Sequence, residues 1–243
     1  VLSKITDLKE WHNDYVIKKI GNVSWVKAVN GIHANKSNDI NSNFYKRLAY
    51  DEILANLLVL SQVRKRIKKI KKKRKIFNEI VSDKILNDLD FSLTNGQSKI
   101  ISEINDDLKS DFKMFRLLQG DVGSGKTIVS LIAAANVISS QYQVAFMAPT
   151  EILAKQHYDL VKKLFISTNI KINFLTGKLK PNEKKKIQQD LKDGSIDILI
   201  GTHALFQKNI IFKKLGLVII DEQHKFGVKQ RIDLSNKGGE DCD

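Results

Sequence analysis

From Phe115 onward, apolar and polar residues fall into regular blocks. Apolar runs at Phe115 to Gln119, Val144 to Ala148, Ile172 to Leu175, Ile196 to Ile200 and Leu217 to Ile220 read as strands, because strands buried on both faces show continuous apolar stretches. Helical spacing fills most intervals, at 127–139, 151–165 and 182–192. Strands alternating with helices predict an α/β fold, a parallel sheet covered by helices on both faces, with any ligand at the carboxyl ends of the strands. Upstream the pattern changes. Leu48, Ile53, Leu54, Leu57, Leu58 and Val63 recur at helical spacing from Phe44 and lead into a basic run, which predicts one long helix, apolar at its start and cationic at its end. Asp90 to Gln97 then supplies a turn with Thr94 or Asn95 as helix N-cap, and Ile100, Ile101, Ile104 and Leu108 suit one buried face. Residues 1 to about 45 have no convincing period. There Leu8, Trp11, Trp25, Val26 and Val29 are candidates to dock on a neighbouring surface.

One stretch gives this pattern a chemistry. Gly120-Asp121-Val122-Gly123-Ser124-Gly125-Lys126-Thr127 fits G-x-x-x-x-G-K-[ST] between an apolar run and an apolar, Ala-rich helix. The three glycines let successive backbone N–H groups approach phosphate oxygens, and the helix that follows points its positive end at the same anion. Lys126 can then reach the β- and γ-phosphates, while the Thr127 hydroxyl is placed to ligate Mg²⁺. About ninety-five residues on, Leu217 to Ile220 end in Asp221-Glu222. Nucleotide hydrolysis needs one acid to hold Mg²⁺, usually through water, and a second to orient or deprotonate the attacking water. Asp221 suits the first role and Glu222 the second. Either feature alone has an ordinary explanation, a glycine turn or a solvated strand end; together they form the two halves of one site.

Charge adds less than its total suggests. The formal charge is +14, but ten of the twelve residues from Arg64 to Lys75 are Lys or Arg, so that without the run the balance falls by ten to +4. The run reads either as a solvated helix face or as a contact to a nucleic-acid backbone. No apolar stretch approaches the roughly eighteen residues that would span a bilayer. The start, Val1-Leu2-Ser3-Lys4, shows neither an initiator Met nor a leader pattern, so the expectation is a piece of a longer cytoplasmic protein. The single Cys242 reads as incidental.

Taken in order, Gly120 to Thr127, Ala148-Pro149-Thr150-Glu151, Gly201-Thr202-His203-Ala204-Leu205 and Asp221-Glu222-Gln223-His224 resemble the motifs of superfamily 2 helicases. The phosphate loop and Asp221 to Arg231 resemble in particular the RecG-type branched-DNA helicases. So do Leu8 to His12, Arg47 to Asn56 and Phe91 to Gln97, which are similar to the segment joining that family's DNA-reading wedge domain to its first motor domain. The resemblance implies a linker at 1–45, a long basic helical segment at 46–90, a truncated first RecA-like motor domain at 91–237 and an unassigned tail at 238–243. It implies ATP and Mg²⁺ as cofactors and branched double-stranded DNA as partner, for a monomer that remodels stalled forks and Holliday junctions. Gln97 would bond the adenine edge and Phe91 would lie against its ring. Pro149, Thr150, Gly201, Thr202 and His203 would contact the DNA backbone, and Gln223 and His224 would couple nucleotide state to a second motor domain. Lys9 departs from the family's usual Pro. The second motor domain, with its arginine finger, would lie outside this sequence; alone, the 243 residues are expected to bind ATP·Mg²⁺ weakly and to unwind little or nothing.

Two rival readings are weighed beside this one. A transcription-repair coupling factor has a similar motor, but usually with Phe in the phosphate loop and Glu where Gln223 stands, so Ser124 and Gln223 favour the RecG type. A basic nucleic-acid-binding module with a vestigial nucleotide site is the third.

Overall fold

The structure is a computed structural model that describes residues 9–34, 41–67, 69–222, 225 and 237–243. The chain divides into two compact units, Val1–Arg66 and Ile67–Asp243.

The first unit contains helices α1 (Asp14–Lys19), α2 (Trp25–Ala34) and α3 (Asn43–Ile67). The segment read as aperiodic therefore carries two short helices. They show no period because α1 buries no residue and α2 buries only Ala28. Close approach replaces a large core: a Cβ on Gly31 would lie 2.6 Å from the Phe44 ring. Trp11 and Trp25, read as docking residues, meet at 6.5 Å between ring centroids and line an apolar groove with Leu48, Leu54 and Leu58. Leu8 lies outside the described residues.

In the second unit, α4 (Ile80–Asn87), α5 (Asn95–Lys109), α6 (Lys126–Ser139), α7 (Glu151–Leu164) and α8 (Pro181–Asp193) surround strands β1 (Gln143–Met147), β2 (Ile172–Leu175), β3 (Ile198–Gly201) and β4 (Leu215–Ile220). All pairings are parallel, in the order β2-β3-β1-β4. Side chains alternate across the pleat. Val144, Phe146, Ile198, Ile200 and Leu217 face one core with Ile85, Leu108, Leu131 and Val161. Ala145, Met147, Leu199 and Leu215 face another with Ile187, Leu191 and Phe212. The expected α/β sheet covered on both faces is what forms. One glycine is fixed by its packing: a Cβ on Gly201 would lie 2.3 Å from the Leu175 carbonyl oxygen of the neighbouring strand. Gly201→Ala is therefore expected to cost about 1–3 kcal/mol, read as a lower urea midpoint by circular dichroism; an unchanged midpoint would contradict this close approach.

Two expectations fail. Phe115 to Gln119 form no strand. The backbone of the edge strand β4 bonds instead to the tail, Val218 N–H to the Asp243 carbonyl at 2.9 Å and Asp243 N–H to the Gly216 carbonyl at 3.0 Å. Arg116 turns toward α5, its guanidinium 2.5 Å from Asp107 Oδ2 and 2.8 Å from Glu103 Oε2.

Nor does the long helix continue through the basic run. α3 stops at Ile67, and residues 72–78 run without helix or strand, their Lys72 and Lys75 N–H groups bonded to the Asp111 and Leu108 carbonyls. Cations three and four apart on a helix repel, whereas here two of them find buried acceptors. The Lys72 and Lys75 side chains are fully buried, and both ammonium groups lie 2.6 Å from Asp243 Oδ2. Burial pushes the Lys72 ammonium below its usual value, against the attraction of Asp243. Arg74, in the open, pairs with Asp111. The tail with no predicted role thus neutralises part of the basic run.

Candidate nucleotide site

The phosphate loop hands directly into α6. Gly125 is its N-cap at φ 78°, in the left-handed region, and no side chain caps the helix. That leaves first-turn N–H groups to be satisfied by something outside the helix, which is the requirement of an anion site. Gly123 is also left-handed, at φ 80°, and a Cβ placed on it would meet nothing within 4 Å. Gly123 therefore faces open space. Lys126 Nζ bridges this loop, donating to the Gly120 carbonyl at 2.7 Å and the Asp121 carbonyl at 2.6 Å. Val122 and Ser124 are exposed, and Thr127 is half-buried beside Lys126.

Thr94, as expected, is the N-cap of α5, and it forms a capping box with Gln97. Gln97 Oε1 accepts from the Thr94 N–H at 2.8 Å, while Nε2 donates to the Ser124 carbonyl at 2.9 Å. A Cβ on Gly125 would lie 2.3 Å from that Nε2. The structure thus sets Gln97 against the phosphate loop, with one N–H and one lone pair of its amide still to use. Phe91 is about half exposed.

The acids arrive from β4, whose Ile220 is level with Met147 of β1 and, through it, with Gly201 of β3. The residues after these three strand ends emerge along one edge of the sheet: Pro149 and Thr150, Thr202 and His203, Asp221 and Glu222. Thr150 caps α7, its hydroxyl accepting from the Leu153 N–H at 3.2 Å. Thr202 is buried, and the exposed His203 opens a single 3₁₀ turn.

Asp221 is held from two sides. His157 Nε2 lies 2.7 Å from Oδ2, and the Glu222 N–H donates to Oδ1 at 2.9 Å. The His157 bond is the main reason that the carboxyl is held below its ordinary value; burial opposes it, while the Glu222 N–H and, through space, the Lys126 ammonium assist. Glu222 sits at φ 50°. That backbone region is costly for a non-glycine residue and recurs at functional positions. Gln223 and His224 lie outside the described residues.

His157 was not foreseen. The signal was present, since Ala154, Val161 and Leu164 of α7 are buried at helical spacing and His157 interrupts their stripe. Among the described residues there is no cluster of three or more His, Cys, Asp or Glu that could hold a metal by itself. Mg²⁺ is usually held by one or two protein oxygens together with nucleotide phosphates. Thr127 at the head of α6 and Asp221 at the end of β4 each offer a hard oxygen donor of the kind Mg²⁺ takes.

A four-stranded parallel sheet with an acidic pair at a strand end, and a phosphate loop that leads into a helix packed on that sheet, defines a RecA-like unit. The model of the family described as DEAD/DEAH box helicase matches residues 94–238, and the chain belongs to that family. The ATP-dependent DNA helicase RecG of Aquifex aeolicus is 42% identical over 235 residues, covering 94% of this chain and 30% of that protein. RecG of Thermotoga maritima is 42% identical over 231 residues, covering 95% and 30%. A solved structure of RecG bound to a three-way DNA junction has 40% identity and a TM-score of 0.68, covering 90% of this chain and 30% of that one. The chain thus spans about 30% of the length of these relatives. Among the described residues no helix is long and apolar enough to cross a membrane.

Proposed function

We propose that these residues are the linker and first motor unit of an ATP-dependent helicase or translocase that remodels branched DNA in the cytoplasm, acting as a monomer. The observation that carries this reading is the sheet edge on which the acidic pair and the strand-end polar groups emerge, in the same unit as a phosphate loop that leads uncapped into α6. The similarity to RecG, and to its junction-bound structure, supplies the substrate class. It does not favour the coupling-factor alternative.

In this reading the loop amides and Lys126 hold the triphosphate, Thr127 and Asp221 hold Mg²⁺, and Gln97 and Phe91 recognise adenine. Mg²⁺, when bound, neutralises charge that develops on the transferring phosphoryl group. Glu222, displaced from helix geometry by its strained backbone, faces the attacking water as base. Pro149, Thr150, Gly201, Thr202 and His203 offer hydroxyl and N–H donors to phosphates, which position DNA without reading its sequence. Gln223 and His224 relay nucleotide state to a second motor unit.

DNA-stimulated ATP hydrolysis by the full-length gene product tests this. Glu222→Gln should keep nucleotide affinity and lower turnover by about 10²–10⁴-fold, the usual contribution of a positioned base. Equal loss of affinity and turnover would remove Glu222 from that role.

The basic run takes a narrower part. Lys72 and Lys75 are internal and Arg74 is held by Asp111, whereas Lys69, Lys71 and Lys73 beside them are exposed and are candidates for contact with duplex phosphate. Neutralising these three should reduce the slope of log affinity against log salt by about 0.9 per lost contact. A slope that does not move would return them to the solvated surface.

A further inference from the structure

The acid at the metal side of the site and the threonine at the proposed DNA side are joined by one helix. Thr150 caps α7 and His157 lies seven residues further along it. Seven residues are two turns, about 10.5 Å of rise, and return to nearly the same face. His157 is 9% exposed and lies in the stripe otherwise made of Ala154, Val161 and Leu164. Its ring packs against Phe146 of β1, with centroids 4.7 Å apart. An apolar side chain would fill such a position without needing a partner. The imidazole has one, and that partner is Asp221, at 2.7 Å.

We propose that His157 is a positioning residue that links DNA capture at the Thr150 end of α7 to the orientation of the Asp221 carboxylate; this rests on the nucleotide reading above. An ionised carboxylate only accepts hydrogen bonds, so Nε2 carries the proton and donates it. The bond to Oδ2, with the Glu222 N–H on Oδ1, leaves the carboxylate little freedom to rotate. Thr150 accepts from Leu153 and still has its own hydroxyl proton to give to a phosphate. A phosphate held there draws on the first turn of α7, and the helix transmits the displacement as a rigid element to His157. Packing against buried Phe146 keeps the ring from swinging away, so that the displacement reaches Asp221. Coupling of this kind is reciprocal: DNA raises affinity for the metal-nucleotide complex by the factor by which that complex raises affinity for DNA.

The test uses the full-length gene product and a fluorescent, non-hydrolysable ATP analogue, titrated with and without Mg²⁺ and with and without a synthetic three-way DNA junction. His157→Leu should raise the Mg²⁺ concentration for half-saturation by about 10–100-fold, the usual loss when a ligand's supporting hydrogen bond is removed. Metal-free nucleotide affinity should stay the same, and the DNA-dependent gain in affinity should fall to about one. His157→Gln, whose amide can donate to Asp221, should recover most of both effects; circular dichroism melts of each variant report folding separately. Leucine and glutamine variants that differ from the parent only in melting temperature would overturn the proposal and make His157 an ordinary core residue. Analogue binding by the parent without any DNA-dependent gain would overturn the coupling while leaving the nucleotide reading intact. No analogue binding by the folded parent would overturn the nucleotide reading and this proposal with it.

Discussion

Lys126→Ala is expected to lower ATP hydrolysis by at least about 10²–10³-fold, the scale of losing one preorganised electrostatic donor, while leaving DNA affinity nearly unchanged. Two consequences of the geometry add up. The ammonium is the one side-chain charge at the head of α6, where the remaining donors are backbone amides. It also holds the loop to its own start through the Gly120 and Asp121 carbonyls. Alanine removes the charge and frees the loop. It removes little packing, because Lys126 is only half-buried and α6 is anchored further along by Val129, Leu131 and Ile132. The melting temperature should therefore hardly move. Hydrolysis is measured as phosphate release at saturating DNA, and DNA binding by fluorescence anisotropy. Retained hydrolysis would show that this loop does not carry the reaction, whereas a parent that hydrolyses no ATP would make the loop vestigial and would favour a basic nucleic-acid-binding module.

What the sequence made legible follows from how locally each feature is determined. β2 begins and ends where its apolar run does, and β1, β3 and β4 differ by no more than two residues, because strands buried on both faces need continuous apolar residues. The phosphate loop and Thr94 cap were legible for the same reason, since each is set by neighbours a few residues away. Non-local partners account for the misses. Whether Phe115 to Gln119 pair as a strand depends on what occupies the edge of β4, and Asp243 occupies it. Lys72 and Lys75 look solvated within their run; the carboxylate that takes them into the interior is more than 160 positions away. His157 finds its partner 64 positions along the chain. The two halves of the nucleotide site were paired in the sequence by chemistry, because hydrolysis needs both a phosphate cradle and strand-end acids, which periodicity alone does not connect.

Arg47→Ala should unfold the first unit far more readily than any substitution of its apolar residues. Only Ile20, Ala28 and Arg47 are buried among that unit's described residues, so that apolar burial contributes little there. A guanidinium at its centre takes over the role of a core side chain. It bonds Glu10 through two nitrogens at 2.8 and 2.9 Å, Asp51 at 2.9 Å and the Val23 carbonyl at 3.2 Å. Its carbon lies 5.3 Å from the Trp11 ring, and Asp51 also holds His12 at 2.5 Å. One side chain thereby joins the stretch before α1, the turn before α2 and the first turns of α3. Losing a hydrogen-bonded charged partner typically costs about 1–3 kcal/mol; here two carboxylates lose it together, although Asp51 keeps His12 and Glu10 keeps the Trp11 and His12 N–H groups. Lysine would restore the charge without the planar fork that meets Glu10 and Asp51 together, so its rescue should be partial. Amide hydrogen exchange in α2 and α3 reads the effect directly. Protection equal to the parent's would show that apolar contacts suffice. Acid provides an independent check. Hydrogen bonding to Arg47 holds the Glu10 carboxyl at about 2, below its ordinary 4.5, so the folded state binds this proton more weakly than the unfolded one. The stability it contributes is complete above pH 4.5 and is lost as pH falls through about 2. Protection in α3 should decline over that window in the parent, and in Arg47→Ala this contribution to the decline should be absent.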